Sequence, residues 1–375
     1  MYRPYIVIIA LIALLLAASP AAAAAPGSFA AALSPARLAE MAVPPAPRPE
    51  LHKAARAIGP MTENARTGYV VLSTPDYFYG ILKMHEAILA KLPKDVKAII
   101  VFPRENPHYQ KFKADFDSKR FTAWTYTLES PWTRDFLPEM VVDESGSARM
   151  VQFAYYPDRP QSEQFGGELA KGFGLTLEKS KVGLEFGNFI ADEQGRIFMT
   201  EKVIADNKSW TKAALEKEIL AKLRGSKMVW MPVIPGESTG HIDIYAKYFG
   251  AGAVVVANSA HPEMKKALDA AAGKFSALGM RVTRLKNADF PAGTISGATA
   301  YSYTNSLRVN DTIFMPVYYS AQYAHTQPFK ATDEAAAAAY AGLGFKVVKI
   351  PAFDAVQFGG AVHCLTREIP WLPWF

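Results

Sequence analysis

A pattern that recurs five times constrains the fold of this chain more than any other feature of its sequence. Each unit contains an amphipathic helical stretch, a glycine or proline turn, and then a run rich in β-branched and aromatic residues. Helices are predicted over residues 78–92, 162–173, 209–223, 261–278 and 332–343. Strands are predicted to follow them at residues 96–102, 175–179, 227–234, 281–285 and 345–350, with further strands at 69–74, 150–156, 197–204, 254–258 and 312–318.

Each of these mixed α/β units is too small to bury both its helix and its sheet faces by itself. Stacking around a shared axis is therefore expected, and a closed ring is favoured over two independent domains. The alternative is a doubly wound α/β domain, in which ligands bind beyond the carboxyl ends of parallel strands. No Gly-x-Gly-x-x-Gly or Walker loop follows any predicted strand, so the sequence gives no support for a nucleotide ligand.

Composition excludes several classes of protein. Of the 375 residues, 50% are hydrophobic and 20% are charged, which allows a large core and rules out a disordered or fibrous chain. The 41 Lys and Arg against 35 Asp and Glu give a net charge of +6. These basic residues are dispersed along the chain, so we expect no nucleic-acid partner.

The first 25 residues have the features of a secretory signal peptide. Arg3 precedes an apolar run at residues 6–18, and Pro20 and an alanine tract follow. An uncleaved membrane anchor is the alternative, because the stretch approaches the roughly 20 residues that span a bilayer. We expect cleavage, a secreted or periplasmic location, and no stable membrane association afterwards. Residues 26–59, rich in Ala and Pro, are predicted to be an arm or linker, and residues 60–375 the catalytic domain.

The chain has one cysteine, Cys364, so no intrachain disulfide can form. A lone thiol in an exported protein is either a small buried hydrophobe or a nucleophile. It lies in one of four segments that place polar residues in apolar surroundings. These are Trp132-Thr133-Arg134-Asp135, Glu185-Phe186-Gly187-Asn188, Gly240-His241-Ile242-Asp243 and Gly359-Gly360-Ala361-Val362-His363-Cys364.

The types of residue in these segments suggest acid/base chemistry on a planar cation. If residues 241–243 are extended, His241 and Asp243 lie on the same face, where the imidazole can move protons near neutral pH. Asp135 is either the partner of Arg134 in a structural ion pair or a second carboxylate for the cation. A guanidinium, with five donors in a fixed fork, matches two acids on opposite edges. A metal site is the alternative, but no third ligand stands at a suitable spacing.

These groups together predict a covalent mechanism. The Cys364 thiolate, favoured by the bound cation and by His241 or His363, would attack the guanidinium carbon. Ammonia would leave with a proton from His241, and water would then hydrolyse the thiouronium to a ureido group. No cofactor is required. No Asp-x-Asp-x-Asp-Gly loop is present, so we expect no calcium dependence.

The four segments, together with Tyr303-Thr304-Asn305, resemble the motifs of the agmatine deiminase and bacterial (Porphyromonas-type) peptidylarginine deiminase family. The resemblance implies the pentein fold, a five-bladed α/β propeller with pseudo-fivefold ββαβ-type repeats. It also implies roles for five residues. Cys364 would be the nucleophile, His241 the general acid/base, Asp135 and Asp243 the guanidinium ligands, and Asn305 an active-site partner.

The substrate is less well defined by the sequence. Trp132, Glu185, Asn188 and Arg159 are expected to bind it, with Arg159 as the counterpart of the arginines that grip a peptide carboxylate in the resembling peptidylarginine deiminase. Export favours peptidyl-arginine over agmatine or free arginine. An amidinotransferase and a non-catalytic secreted binding protein are the remaining alternatives. The chain departs from the agmatine deiminase motifs in three places, at Leu137, Phe186 and Ala361.

Overall fold

Five separate β-sheets repeat one connection pattern in the computed structural model, which describes residues 59–73, 81–103, 120–143, 145–237, 239–287 and 301–371. The predicted signal peptide and nearly all of the predicted arm lie outside these residues. Among the described residues no helix is both long and apolar enough to cross a membrane.

The strands are β1 (Gly59–Pro60), β2 (Thr67–Ser73), β3 (Lys97–Phe102), β4 (Phe121–Thr125), β5 (Glu139–Val142), β6 (Ala148–Ala154), β7 (Leu177–Gly183), β8 (Ile190–Ala191), β9 (Arg196–Thr200), β10 (Lys227–Met231), β11 (Ala246–Gly250), β12 (Ala253–Asn258), β13 (Arg281–Lys286), β14 (Leu307–Val309), β15 (Thr312–Val317), β16 (Lys346–Pro351) and β17 (Thr366–Pro370). The α-helices are α1 (Leu82–Lys91), α2 (Thr133–Phe136), α3 (Pro160–Gly172), α4 (Lys202–Asp206), α5 (Lys212–Leu223), α6 (Pro262–Ala277), α7 (Phe329–Gly342) and α8 (Phe353–Val356). Single turns of 3₁₀-helix occur at Phe186–Asn188, Ile242–Ile244 and Ala324–Thr326.

Each sheet contains an antiparallel pair of strands, then a helix, then a strand parallel to the second. The strand orders are β1-β5-β6-β7, β8-β9-β10, β11-β12-β13, β14-β15-β16 and β17-β2-β3-β4. In the last of these, the C-terminal strand β17 pairs antiparallel with β2 near the start of the described chain. The described chain therefore completes its fifth ββαβ unit by joining its two ends in one sheet.

Helix α6 illustrates how these units are stabilised. It buries Leu268, Ala271 and Phe275 on one face, and they pack in one apolar cluster with Val254 and Val256 of β12. The spacing of three and four residues puts these side chains on the same stripe of the helix. Full burial of each large apolar side chain contributes about 1.5–3 kcal/mol, so the helices are held mainly by their sheets.

The five predicted helices are confirmed within the described residues, and each end that can be compared is shifted by at most three residues. The predicted start of the first helix, at residue 78, lies outside the described residues. The strand predicted over 197–204 is wrong in its second half, because β9 ends at Thr200 and α4 begins at Lys202. In that turn the Lys202 ammonium pairs with Asp206 four residues on, an arrangement that favours a helix. The strand predicted over 227–234 ends at Met231, just before Pro232, which cannot donate to a sheet.

The polar segments occupy equivalent places in the five units. Each one precedes the first strand of a ββαβ unit, namely β5, β8, β11, β14 or β17. Every unit therefore contributes one short polar segment, and the candidate site is built from these segments.

Candidate active site

Helix α2 separates two neighbouring side chains of opposite charge. Arg134 turns away from Asp135 and donates to both carboxylate oxygens of Glu368, with Nη1 3.0 Å from Oε1. Asp135 instead accepts from the backbone N–H of Gly187 at 3.2 Å and faces His241. The interpretation of Arg134 and Asp135 as a structural ion pair is therefore wrong, and Asp135 is left available to a ligand.

Two carboxylates flank the imidazole of His241. Its Nε2 lies 3.1 Å from Glu185 Oε2, and its Nδ1 lies 3.7 Å from Asp135 Oδ1. Nδ1 is buried without a hydrogen-bond partner in the described structure. The Glu185 carboxylate also accepts from Tyr156 Oη at 2.8 Å and lies 3.3 Å from Lys202 Nζ, so it is fixed on the side of the ring away from Asp135.

Gly187 permits this close packing. A Cβ atom at that position would lie 2.5 Å from His241 Nδ1 and 2.7 Å from Asp135 Oδ1. No real Cβ is found so near to other heavy atoms, so any side chain would push the base and the carboxylate apart. The glycine retained here is the one that the site needs.

Asp243 lies in a 3₁₀ turn, and the expectation of an extended segment at residues 241–243 is wrong. One of its carboxylate oxygens, Oδ2, lies 2.7 Å from His363 Nδ1 and accepts from Asn305 Nδ2 at 3.1 Å. The other oxygen, Oδ1, is buried and has no partner among the described residues. Asp243 therefore presents an unused acceptor, as a guanidinium ligand should.

Cys364 is 3% exposed, and its sulfur lies beside these carboxylates. Asn305 Nδ2 donates to Sγ at 3.1 Å, and Asp243 Oδ2 is 3.7 Å from Sγ. Asn305 Oδ1 accepts the backbone N–H groups of Ala361 and Cys364, at 3.2 and 3.3 Å. The amide thus holds the nucleophile loop and contacts both the sulfur and one carboxylate.

The loop that carries the cysteine depends on Gly360. A Cβ there would lie 2.6 Å from Trp132 Cζ3 and 2.8 Å from Cys364 Cβ. The indole of Trp132 therefore packs on the loop beside Cys364, and its prediction as a substrate-binding residue stays a prediction. Ala361, which stands where the family has glycine, has no positive φ and so is accommodated without backbone strain.

Electrostatics favour the protonated form of the Cys364 thiol. Burial, reinforced by the charges of Asp243 and Asp135, raises the pKa of the Cys364 thiol well above its ordinary value. Neither ring nitrogen of His363 serves the sulfur, since one faces Asp243 and the other faces Glu63 at 2.9 Å. A cation bound beside the sulfur would reverse this balance and favour the thiolate.

The surroundings of His241 favour its charged form, whereas those of Cys364 favour the neutral thiol. Burial opposes its charge, but Glu185 and Asp135 outweigh burial and raise the pKa of His241 to about 10. Burial raises the pKa of Asp135 to about 7 against the pull of His241. Burial also disfavours the charge of Glu185, but His241 outweighs it and lowers the Glu185 pKa to about 2. At neutral pH the ring is an imidazolium, the form that can give a proton to a leaving amine.

The remaining predicted substrate residues occupy different surroundings. Asn188 is buried, and its Oδ1 accepts from the backbone N–H of Thr200 at 2.9 Å, which makes it a support of the loop. Arg159 donates to Tyr155 Oη at 3.0 Å, and its guanidinium lies 4.9 Å from the ring centre of Tyr156. Glu185 contacts the base His241, so its described contacts are those of a group that positions the imidazole.

The other two departures from the family motifs are buried in the apolar core. Leu137 is fully buried in the apolar cluster around β6 and α3. Phe186 packs among Phe153 and Phe189, with the Arg367 guanidinium 5.0 Å from its ring centre.

Sequence reasoning missed Glu63 and Tyr156. Glu63 stands in the short polar run Thr62-Glu63-Asn64, which looks like an ordinary surface turn. Its partner His363 is 300 positions away in the chain. Tyr156 stands three residues before Arg159 and outside the polar segments, so no motif marks it. Among the described residues, no group of three or more His, Cys, Asp or Glu side chains could hold a metal ion.

The chain is similar to known deiminases in sequence and in fold. A model of the family described as Porphyromonas-type peptidyl-arginine deiminase matches residues 73–370. A predicted agmatine deiminase of Streptomyces avermitilis is 26% identical over 273 residues, which cover 65% of this chain and 75% of that protein.

Solved structures share the fold. The agmatine deiminase of Enterococcus faecalis superposes with a TM-score of 0.69 at 18% identity, over 84% of this chain and 96% of that one. A predicted arginine deiminase of Porphyromonas gingivalis gives a TM-score of 0.71 at 20% identity, over 83% of this chain and 97% of that one.

Proposed function

Because this chain belongs to the Porphyromonas-type peptidyl-arginine deiminase family, and so to the hydrolases that cleave C–N bonds of linear amidines, we propose that it converts a guanidinium group to a ureido group with release of ammonia. One observation carries the proposal. The sulfur of Cys364 lies beside Asp243, which keeps an unpartnered oxygen, while Asp135 and an unpartnered nitrogen of His241 face each other.

In the proposed first half-reaction, the guanidinium binds Asp135 and Asp243 through its forked N–H donors. The bound cation lowers the energy of the Cys364 thiolate, and the thiol proton leaves to solvent. The sulfur forms a bond to the guanidinium carbon, and one C–N bond breaks. His241 donates its proton to that nitrogen, which departs as ammonia and leaves a thiouronium on the sulfur.

The second half-reaction uses the same groups in reverse. His241, now neutral, accepts a proton from a water molecule that attacks the thiouronium carbon. The second proton of that water passes to the departing sulfur, so the C–S bond breaks, the Cys364 thiol is regenerated and the product leaves with a ureido group. Water is the only co-reactant, so the overall reaction consumes one water and releases one ammonia for each guanidinium.

We place agmatine first among the substrates, and peptidyl-arginine second. The relatives named as agmatine deiminases support this order and favour the alternative of the sequence analysis over its main prediction. The contacts of Arg159 support it as well. That guanidinium, which was expected to grip a carboxylate, is engaged by two tyrosines. Agmatine has no carboxylate and needs no such grip.

Two further proposals concern the whole chain. The five ββαβ units would close into a five-bladed propeller, with one polar segment from each unit at the axis. Residues 1–25 would direct export, after which the enzyme would act in the periplasm or outside the cell. Sequencing the N-terminus of the protein recovered from those fractions tests export, and recovery of Met1 would contradict cleavage.

The function itself is tested by product analysis. Purified protein is incubated with agmatine, with a peptide containing internal arginine, and with a peptide ending in arginine, and ureido product and ammonia are measured together. Agmatine turnover that is lost in Cys364→Ala is the expected result. Turnover of a peptide alone would establish the second candidate. Transfer of the amidino group to an added amine without ammonia would establish an amidinotransferase, and no reaction would leave the binding-protein alternative.

A further inference from the structure

A series of contacting charged groups, most of them buried, links the start of the described chain to the site; the Glu63 side chain is 17% exposed. Glu63 lies in the turn between β1 and β2, and its two carboxylate oxygens have different partners. Oε1 lies 2.9 Å from His363 Nε2, and Oε2 accepts from Lys247 Nζ at 2.5 Å. The side chains of His363 and Lys247 are only 1% and 2% exposed. The Glu63 carboxylate therefore provides the hydrogen-bond partner that His363 Nε2 and Lys247 Nζ need when buried.

His363 connects this carboxylate to Asp243. Its Nδ1 lies 2.7 Å from Asp243 Oδ2, while its Nε2 faces Glu63. An ionised carboxylate can accept hydrogen bonds but cannot donate them. The Glu63 and Asp243 oxygens are therefore satisfied when the ring nitrogen that faces each of them donates. Glu63 therefore fixes the plane of the imidazole, and the imidazole fixes one oxygen of Asp243.

The other oxygen of Asp243 is the one left for substrate. Asn305 and His363 both hold Oδ2, and Oδ1 remains buried without a partner. Rotation about the Cβ–Cγ bond would carry Oδ2 away from its donors, so each contact to Oδ2 restrains the carboxylate. Asn305 Nδ2 is shared between Oδ2 and Cys364 Sγ, both at 3.1 Å, and gives the longer of the two contacts to Oδ2. The second contact, from His363, sets the direction in which Oδ1 points.

We propose that Glu63 is a positioning residue, which orients Asp243 toward a bound guanidinium by holding His363 between the two carboxylates. The proposal rests on the proposed function, since it concerns the same site. It assigns a role in substrate recognition to the segment before β2, from which sequence analysis drew no functional residue. A carboxylate that binds a guanidinium needs neighbouring residues to hold its orientation, because small misalignments weaken the forked hydrogen bonds.

The test measures how well the site recognises a cation, without requiring turnover. Rates of Cys364 alkylation are measured with 2-chloroacetamidine, which is a planar cation, and with the neutral 2-chloroacetamide of similar shape. In each case the sulfur displaces chloride, and the thiol proton goes to solvent. The ratio of the two rates reports the contribution of the carboxylates. In the double variant Glu63→Leu/Lys247→Met the ratio is expected to fall about tenfold, the effect of losing one hydrogen bond to a charged group.

Two matched variants separate positioning from general damage. Glu63→Gln/Lys247→Met keeps an amide oxygen that can accept from His363 Nε2, and it is expected to restore most of the ratio. Glu139→Leu/Arg367→Met removes another buried ion pair, and should leave the ratio within about twofold; Glu139 and Glu63 line the same small cavity. An unchanged ratio in Glu63→Leu/Lys247→Met would overturn the proposal, as would an equal fall in all three variants. A wild-type protein that prefers the cation yet deiminates no substrate would contradict the proposed function and leave this role of Glu63 standing.

Discussion

Two carboxylates decide the protonation state of His241, and burial decides that of Asp135. Glu185 and Asp135 raise the pKa of His241 to about 10, so the imidazolium persists through neutral pH. Burial raises the pKa of Asp135 to about 7, so its carboxylate loses charge in mildly acidic solution. The proposed mechanism needs Asp135 deprotonated to bind a cation and His241 protonated to release ammonia, and these states coexist between the two pKa values.

A bell-shaped pH profile follows for kcat/KM, with limbs set by the free enzyme. Activity should fall as pH drops below about 7, where Asp135 takes up a proton, and again as pH rises above about 10, where His241 loses one. In Glu185→Gln the alkaline limb should move to lower pH, because the charge that stabilises the imidazolium is gone. Asp206→Asn, which changes a partner of Lys202 and not of the imidazole, serves as the control. An alkaline limb that stays in place in Glu185→Gln would contradict this assignment.

Gly187 is the residue at which one added methyl group should separate the base from its carboxylate. The added Cβ atom in Gly187→Ala would lie 2.5 Å from His241 Nδ1 and 2.7 Å from Asp135 Oδ1. A displacement on the order of 1 Å can cost about 100-fold, so we expect at least that loss in kcat/KM. Gly167→Ala serves as the control. Its added Cβ, within α3, would lie 3.9 Å from Leu177 Cδ2, an ordinary contact, so this variant should keep full activity. Activity near wild type in Gly187→Ala would show that the two groups need not approach.

Strand β17 and helix α2 are tied together by one buried ion pair. Arg134 binds both oxygens of Glu368 in β17, and its backbone N–H donates to the carbonyl of Cys364 at 3.2 Å. The pairing of β17 with β2 thus places the nucleophile next to the segment that carries Asp135. Loss of one member of such a pair leaves a buried charge uncompensated.

The variant Arg134→Met should therefore be destabilised by about 3–5 kcal/mol in urea unfolding, while Arg134→Met/Glu368→Leu should recover most of that loss. Lys349→Ala, which breaks an exposed pair with Glu334, should cost about 1 kcal/mol or less. Equal stability of Arg134→Met and the wild-type protein would mean that this pair does not join the two elements.

Longer elements could be predicted from the sequence, and the first strand of each sheet could not. Helix α6 shows its apolar stripe over sixteen residues, which is enough to reveal its period. Strand β8 has only two residues, Ile190 and Ala191, and strand β14 has three. Runs that short have no measurable alternation, and their pairing is set by the neighbouring strand. The 3₁₀ turn at Ile242–Ile244 was missed for the same reason.

At the scale of the whole molecule, the repeat count and the order of the polar segments could be predicted, because each segment stands out chemically within its own unit. The contacts between segments could not. His363 is an ordinary neighbour of Cys364 in sequence, yet its ring lies between Asp243 and Glu63, which are 120 and 300 positions away. Glu185 likewise serves His241 from another unit. Five units that each contribute one loop create a site that no local window contains.

The central claim is that the sulfur of Cys364 forms a covalent bond to the guanidinium carbon. Intact-protein mass spectrometry after acid quench, within the first turnovers with agmatine, tests it most directly. The account predicts an added mass equal to that of the substrate less ammonia, located by peptide mapping to Cys364 and lost in Cys364→Ser. Product formation with no such adduct, or with the same adduct in Cys364→Ser, would contradict it.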